Sequence, residues 1–280
     1  AEVSKPVMDR RFQAYNERVA ASDLKSDIDH HNFVHPERCQ ITVPICDLLD
    51  LPNGDRQRQL LYGAPVEVFE DVAGWAFVRQ HSDGYVGYVQ SAALGSYSAP
   101  THYVTSVFTH CYRDADFKSP DKAQLPMQSQ IRVHEHRAQF GKTDLGWIPL
   151  AHVKPITENA PDIVTEAQKF LGVPYLWGGN SALGIDCSGL VQVACSACGI
   201  AAPADSDLQR AALGEHVKGY MKRGDLLFWK GHVALVHDVG HILHANAHAM
   251  AVTLEPIDDA IKRIENSGDG PIIAHKRLKG

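Results

Sequence analysis

The stretch QLLYGAPVEVFE at residues 59–70 returns as QLPMQSQIRVHE at 124–135, keeping a Gln, a Leu, an apolar-x-Val and a closing Glu in place. At the same spacing Cys46 falls on Cys111, and beyond a loop of different length Gly87-Tyr88-Val89 is answered by Gly146-Trp147-Ile148. Few features constrain a fold more, because a repeated sequence builds a repeated unit. Across 36–155 the apolar residues come in short alternating runs with turn residues between them, the two-residue period of strands. The chain is therefore expected to fold one small all-β unit twice.

Units of that size and texture suit SH3-like barrels, which close their strands on themselves and so limit exposed edges. The expected division is a first barrel over 36–97 and a second over 98–156, preceded by a helical extension over 1–35 packed on the barrels. Cys46 and Cys111 then occupy one core position used twice. Equivalent positions of two barrels point into separate interiors, so no disulfide is expected between them. His30, His31, His35 and Cys39 in HHNFVHPERC follow no structural zinc spacing and read as part of a polar linker.

The balance of 27 Lys and Arg against 33 Asp and Glu gives a net charge of -6. The basic residues are dispersed, whereas phosphate backbones are held by clustered Lys and Arg, so nucleic acid is not an expected partner. No run approaches the roughly 18 apolar residues that a membrane span needs. The opening AEVSKPVMDRRFQAYNERVA lacks the apolar core of a secretory signal, and a cytoplasmic protein is expected unless a leader was removed before Ala1. Six cysteines in 280 residues are too sparse for a disulfide scaffold. Cys195 and Cys198 form a C-x-x-C, yet they lie inside an expected helix rather than at its start and have no second pair, so they read as core thiols.

The texture changes near 156. APDIVTEAQKFLG (160–172) has Pro161 at a first helical position, Ile163, Ala167, Phe170 and Leu171 on one face, and Gly172 as a stop. After the loop VPYLWGGNSALGID a helix is expected from Cys187 to about Cys198, ended by Gly199, with a shorter one around SDLQRAAL. Strand-like runs follow at 225–229, 232–239, 241–247, 250–256 and 272–278. Helices first and strands afterwards signal an α+β domain with an antiparallel sheet over 157–280.

GIDCSGLVQ (184–192) holds the candidate chemistry. Asp186 is a strong N-cap, which puts Cys187 beside unpaired backbone N–H groups and the positive end of the helix dipole, a setting that favours thiolate. Only Ser188 and Gly189 follow before Leu190, leaving the sulfur accessible to a substrate. A thiolate nucleophile needs a base and a third group that orients the base. His232 opens an apolar strand, and His244, Asn246 and His248 alternate with Leu243, Ala245 and Ala247, so the three share one face of their strand. His232 and His244 on adjacent strands can then meet at imidazole distance. Zinc on His232, His244 and His248 is the competing reading, but it leaves Cys187 without a role.

Taken together, PYLWGGNSALGIDCSGLVQ (174–192), RGDLLFWKGHVALV (223–236) and ILHANA (242–247) resemble the NlpC-type cysteine peptidases of the NlpC/p60 superfamily. These are bacterial enzymes that cut γ-D-glutamyl to diamino-acid bonds in murein peptides. The resemblance covers residues 160–280 or so, and the pair of barrels looks like the SH3-like domains joined to this papain-like catalytic domain in muropeptide-recycling members. It implies that Cys187 is the nucleophile, His232 the general base and His244 the residue that orients it. Tyr175 and the Cys187 backbone N–H are the implied oxyanion donors. Asp205 and Ser206 match positions that hold the substrate's free amine and peptide backbone, and Tyr85 resembles a barrel tyrosine that closes the same pocket. The implied partners are murein peptide fragments of the form L-Ala-γ-D-Glu-diamino acid, with diaminopimelate or lysine in third place. The reaction that the resemblance implies needs neither metal nor cofactor.

Two departures bear on specificity. Gly63-Ala64 stands where relatives commonly carry Gly-Glu, which removes an acidic contact to the substrate amine, and Ala204 stands where many carry Arg. Two rival readings remain at this level: a catalytically inactive module that binds murein peptides, and a Cys/His amidase or acyltransferase on the same frame.

Overall fold

The computed structural model describes residues 8–279, which fall into two compact units parting between residues 99 and 100. In the first unit seven strands form one antiparallel sheet: β1 (Glu37–Ile41), β2 (Ile45–Leu49), β3 (Arg56–Leu61), β4 (Pro65–Val72), β5 (Trp75–Gln80), β6 (Val86–Gln90) and β7 (Leu94–Ser96). Their spatial order is β3-β2-β6-β5-β4-β1-β7. The alternation seen in the sequence becomes an inward face on which Ile41, Leu48, Leu60, Val66, Val78 and Val89 are fully buried.

The second unit begins with β8 (His102–Val104), β9 (Phe108–Tyr112), β10 (Asp121–Pro126), β11 (Gln130–Ile131), β12 (Glu135–Arg137), β13 (Phe140–Thr143), β14 (Gly146–Pro149) and β15 (Val153–Pro155). These pair in the orders β10-β9-β14-β13-β12 and β11-β8-β15. That is the order of the first sheet, with β11 and β12 standing where the long β4 stood. The repeat in the sequence is thus a repeat in topology.

The ladders also correct the repeat. Cys46 pairs with Leu60, whereas Leu125, the counterpart of Leu60 at the sequence spacing, pairs with Thr109. Leu49 pairs with Tyr88 and Tyr112 with Trp147, so Cys111 occupies the place of Leu48 and Cys46 that of Thr109. The reason is hairpin length: nine residues separate the paired Leu48 and Arg58, and eleven separate Cys111 and Ala123. Both cysteines are free and buried, but in different layers of their sheets.

The expected helical extension is not there. Among described residues 8–35 there is no α-helix; the stretch holds two 3₁₀ turns (Arg10–Phe12 and Ser22–Leu24), a single antiparallel bridge between Tyr15 and Ala20, and a two-residue parallel pairing of Ala20–Ala21 with Phe33–Val34. Asn16 accounts for part of this, since its Oδ1 accepts the backbone N–H of Arg18 (2.8 Å) and Val19 (3.0 Å), a local turn that competes with helix. The segment does pack on its own unit, with Ala14, Val19 and Ala21 against Phe69, Phe77, Val86 and Tyr88. Residues 1–7 of the expected extension lie outside the described residues.

The second unit continues with α1 (Ile163–Gln168), α2 (Cys187–Ala197), α3 (Ser206–Ala212), β16 (Glu215–His216), β17 (Leu226–Trp229), β18 (His232–Val236), β19 (His241–Asn246), β20 (Ala251–Pro256), α4 (Ile257–Ser267) and β21 (Ala274–Arg277). The six strands form one antiparallel sheet, β16-β21-β17-β18-β19-β20, in which all five expected strands appear. Alternation along β17 sends Leu226 and Phe228 into the core beneath α1 and α2, and Leu227 and Trp229 into a second core beneath α4. Helix α1 starts two residues later than expected, because Asp162 is its cap and accepts the Thr165 backbone N–H at 3.0 Å, leaving Pro161 outside. It also stops at Gln168, so Leu171 is 40% exposed while Ile163, Ala167 and Phe170 are buried. Met127, from the connection between β10 and β11, reaches into the core that α2 shares with the sheet. Helix α4 is an addition to the sequence reading, and its Ile257, Ala260 and Ile264 at helical spacing cover the far face of the sheet.

Candidate active site

Helix α2 begins at Cys187 because Asp186 caps it. Asp186 Oδ1 accepts the Gly189 N–H at 2.7 Å and the Ser188 hydroxyl at 3.1 Å, while Oδ2 accepts the Gly178 N–H at 2.8 Å and so ties the preceding loop to the helix. That loop passes so close that a Cβ at position 189 would strike the Gly179 carbonyl oxygen, which explains a glycine in the first turn. The sulfur lies where the backbone N–H groups of Val233, Ser188 and Cys187 converge. Val233 follows His232, so β18 runs directly against the start of the helix.

The structure differs from the sequence reading in two respects here. Cys187 is only 7% exposed, not open to solvent, because strand and loop close over the short residues meant to leave it free. Its thiol is also pushed up to about 12, first by burial and then by the Asp186 carboxylate, against the pull of the three N–H groups. Burial outweighs the helix end, and the residue that caps the helix repels the anion the helix would favour. Tyr175 packs against the core that holds Cys187, and burial, followed by the charges of Cys187 and Asp186, pushes its hydroxyl up.

From His232, on the strand packed on α2, runs a chain of polar groups. His232 Nε2 lies 2.8 Å from His244 Nδ1, and His244 Nε2 lies 2.9 Å from Glu255 Oε2. Glu255 is gripped by Arg263 of α4, which donates Nε–H at 2.8 Å and Nη2–H at 2.7 Å. His244 is 1% exposed, and both its ring nitrogens are occupied, which leaves none for a zinc ion. Burial, then His244 and Arg263, push half-buried His232 down to about 3, with Glu255 opposing. Arg263 and then His244 hold Glu255 down at about 2.

Asn246 shares the face of His244 as expected, but it donates to Thr253 Oγ1 at 2.9 Å and accepts the Ala249 N–H at 2.8 Å. His248 falls in the turn after β19 and is exposed. Sequence reasoning missed Glu255 and Arg263. The signal for Glu255 lay in the hairpin: His244 pairs with Thr253, which sets Glu255 diagonally across from it on the same face.

Asp205 and Ser206 are half-buried at the start of α3, with Asp205 held at φ +62°. Gln209, one turn on, is fully buried and donates to the Ser188 carbonyl at 2.8 Å and the Pro203 carbonyl at 3.0 Å. This unforeseen residue fastens α3 to the first turn of α2. Tyr85 belongs to the first unit, where it is buried, with the Arg58 guanidinium carbon 5.4 Å from its ring centre. An open groove beside His232 is lined by Tyr175, Lys230, His248, Arg263, Ser267 and Asp269.

Comparison with known proteins matches residues 172–264 to the NlpC/P60 family and residues 48–94 to the bacterial dipeptidyl-peptidase Sh3 domain. The chain is 33% identical over 252 residues to the gamma-D-glutamyl-L-lysine dipeptidyl-peptidase of Bacillus cereus, covering 78% of this chain and 75% of that one. It is 28% identical over 230 residues to the protein of the same name from Bacillus subtilis, covering 73% and 77%. The crystal structure of a NlpC/P60 family protein from Bacillus cereus is similar with a TM-score of 0.73 over 86% of this chain and 99% of that one, at 20% identity.

Proposed function

The chain belongs to the NlpC/P60 family of cysteine peptidases, with an SH3-like domain ahead of the catalytic domain, and on that premise we propose that it hydrolyses the γ-D-glutamyl to diamino-acid bond of murein peptides carrying a free N-terminal L-Ala. The observation that carries the reading is the meeting of three parts in one place. A cysteine starts a helix, the strand packed on that helix carries His232, whose ring meets His244 of the neighbouring strand at 2.8 Å, and a tyrosine packs against the core that holds the cysteine. The names of the Bacillus relatives supply the bond, with lysine as their diamino acid. The recurring strand order supports reading 98–156 as a second SH3-like barrel, and a helix starting at a thiol packed on a strand that bears an imidazole supports a papain-like domain.

In the proposed reaction His232 Nδ1 takes the thiol proton as Cys187 Sγ bonds to the γ-carbonyl carbon of D-glutamate. Proton transfer accompanies attack because the buried, neutral pair is the favoured resting state. The oxyanion faces the Tyr175 hydroxyl and the Cys187 backbone N–H. As the C–N bond breaks, His232 returns the proton to the departing diamino-acid nitrogen, leaving a thioester. Water then attacks with its proton passing to His232, which restores the thiol as L-Ala-D-Glu leaves. Asp205 and Ser206 are assigned to holding the dipeptide end. Mass spectrometry of products from L-Ala-γ-D-Glu-L-Lys and its diaminopimelate counterpart tests this. Release of the dipeptide and the free diamino acid is expected, with an N-acetylated peptide resisting; intact peptide in both cases, or acyl transfer without hydrolysis, overturns it.

A further inference from the structure

The polar chain does not stop at the second histidine. Glu255 receives His244 Nε2 on one oxygen and Arg263 on both, and Arg263, then His244, hold its carboxyl at about 2, so it is anionic at any pH where the protein works. A carboxylate can only accept, so His244 presents N–H at Nε2 and, when neutral, a bare lone pair at Nδ1. That lone pair lies 2.8 Å from His232 Nε2, which must carry the hydrogen between them. Neutral His232 is then left with its own lone pair at Nδ1, the nitrogen not spent on His244.

We propose that Glu255, steadied by Arg263, is a positioning residue that sets the direction of every hydrogen bond in the relay and so keeps the basic nitrogen of His232 available to the Cys187 thiol. Without an obligate acceptor at 255, His244 can hold its hydrogen on either nitrogen. The tautomer with N–H at Nδ1 of His244 pushes His232 into the form whose Nδ1 already carries hydrogen and cannot accept another. The groups that act on His232 are His244 and Glu255 from the sheet and Arg263 from α4; Tyr175, Lys230, His248 and Asp269 line the groove beside it. The proposal rests on the peptidase reading for its consequence, though the direction of the relay can be read without any substrate.

The test uses Glu255→Gln and Arg263→Gln, each made in the otherwise unaltered protein and in a Cys187→Ala protein carrying ¹⁵N-labelled histidine. Glu255→Gln should lower kcat about 10- to 100-fold with KM nearly unchanged. In the Cys187→Ala protein, ¹⁵N spectra should show His232 with hydrogen on Nε2 alone, and a mixture once Glu255→Gln is added. Removing the anion should lower the pH at which the histidine pair takes up a proton, and removing the cation should raise it. General loosening of the fold cannot produce opposite shifts. A single unchanged tautomer in Glu255→Gln, or both variants shifting the same way, overturns the proposal. Failure of the unaltered protein to release any diamino acid sinks the peptidase reading instead, with the spectra still deciding the relay.

Discussion

Helix α2 has a cysteine near each end, and the two are alike in the properties most often taken to mark a reactive thiol. Cys187 and Cys195 are both buried, and burial pushes both up to about 12. Their surroundings separate them. Three backbone N–H groups converge on Cys187, and the strand packed on its helix carries His232, which is hydrogen-bonded to His244 of the next strand. Cys195 has apolar neighbours, at the end of the helix where the second sheet unit is anchored: Ser196 donates to Gln128 at 2.8 Å, and Met127 enters the same core. One helix therefore gathers polar groups at its first turn and scaffolding contacts at its last. What separates the two is what converges on the sulfur, since neither depth nor acidity tells them apart.

The largest expected effect breaks the pair apart. Cys187→Ala should reduce turnover of the γ-glutamyl tripeptide at least about 1,000-fold, whereas Cys195→Ala should stay within about twofold. Comparable losses from both would show that the two ends are not functionally distinct. Next is His244→Ala, which should slow turnover about 100- to 10,000-fold by freeing the ring of His232, with peptide binding by calorimetry little altered. At the scaffolding end, Met127→Ala should cost about 2–4 kcal/mol in urea unfolding through the cavity it leaves. The folded fraction should keep its kcat, and a matching fall in kcat would mean that packing at one end reaches the chemistry at the other. The smallest effect sharpens the comparison. Asp186→Ala should remove about 1 kcal/mol of helix-cap stability. It should also let the Cys187 thiol ionise at lower pH, because a repelling carboxylate is gone, and iodoacetamide alkylation should begin earlier in a pH series.

The same contrast explains what the sequence disclosed. Capping, helix period and strand alternation act between near neighbours, so the start of α2 at Cys187, the strands bearing His232 and His244, and the recurrence of a sheet unit were all legible. Glu255 was not, since its role depends on the pairing that brings β20 beside β19, and Arg263 depends further on a helix crossing behind that strand. The sulfur's burial likewise belongs to the packing of a loop and a strand far apart in the chain. Residues 8–35 misled because their charged, amphipathic composition suits a helix, while Asn16 turns the backbone away from one.

The hairpin of the second sheet unit is longer than its counterpart by two residues, and two is also the period of a strand. The added pair sits at the tip, so every position beyond it keeps its side of the sheet. Thr109, Cys111 and Leu125 stay inside, as Cys46, Leu48 and Leu60 do. One extra residue would have turned an arm over and sent Leu125 into solvent, unless a bulge absorbed it. Growth of this arm thus obeys a parity rule, by which insertions in even steps pass unnoticed while odd ones invert a face.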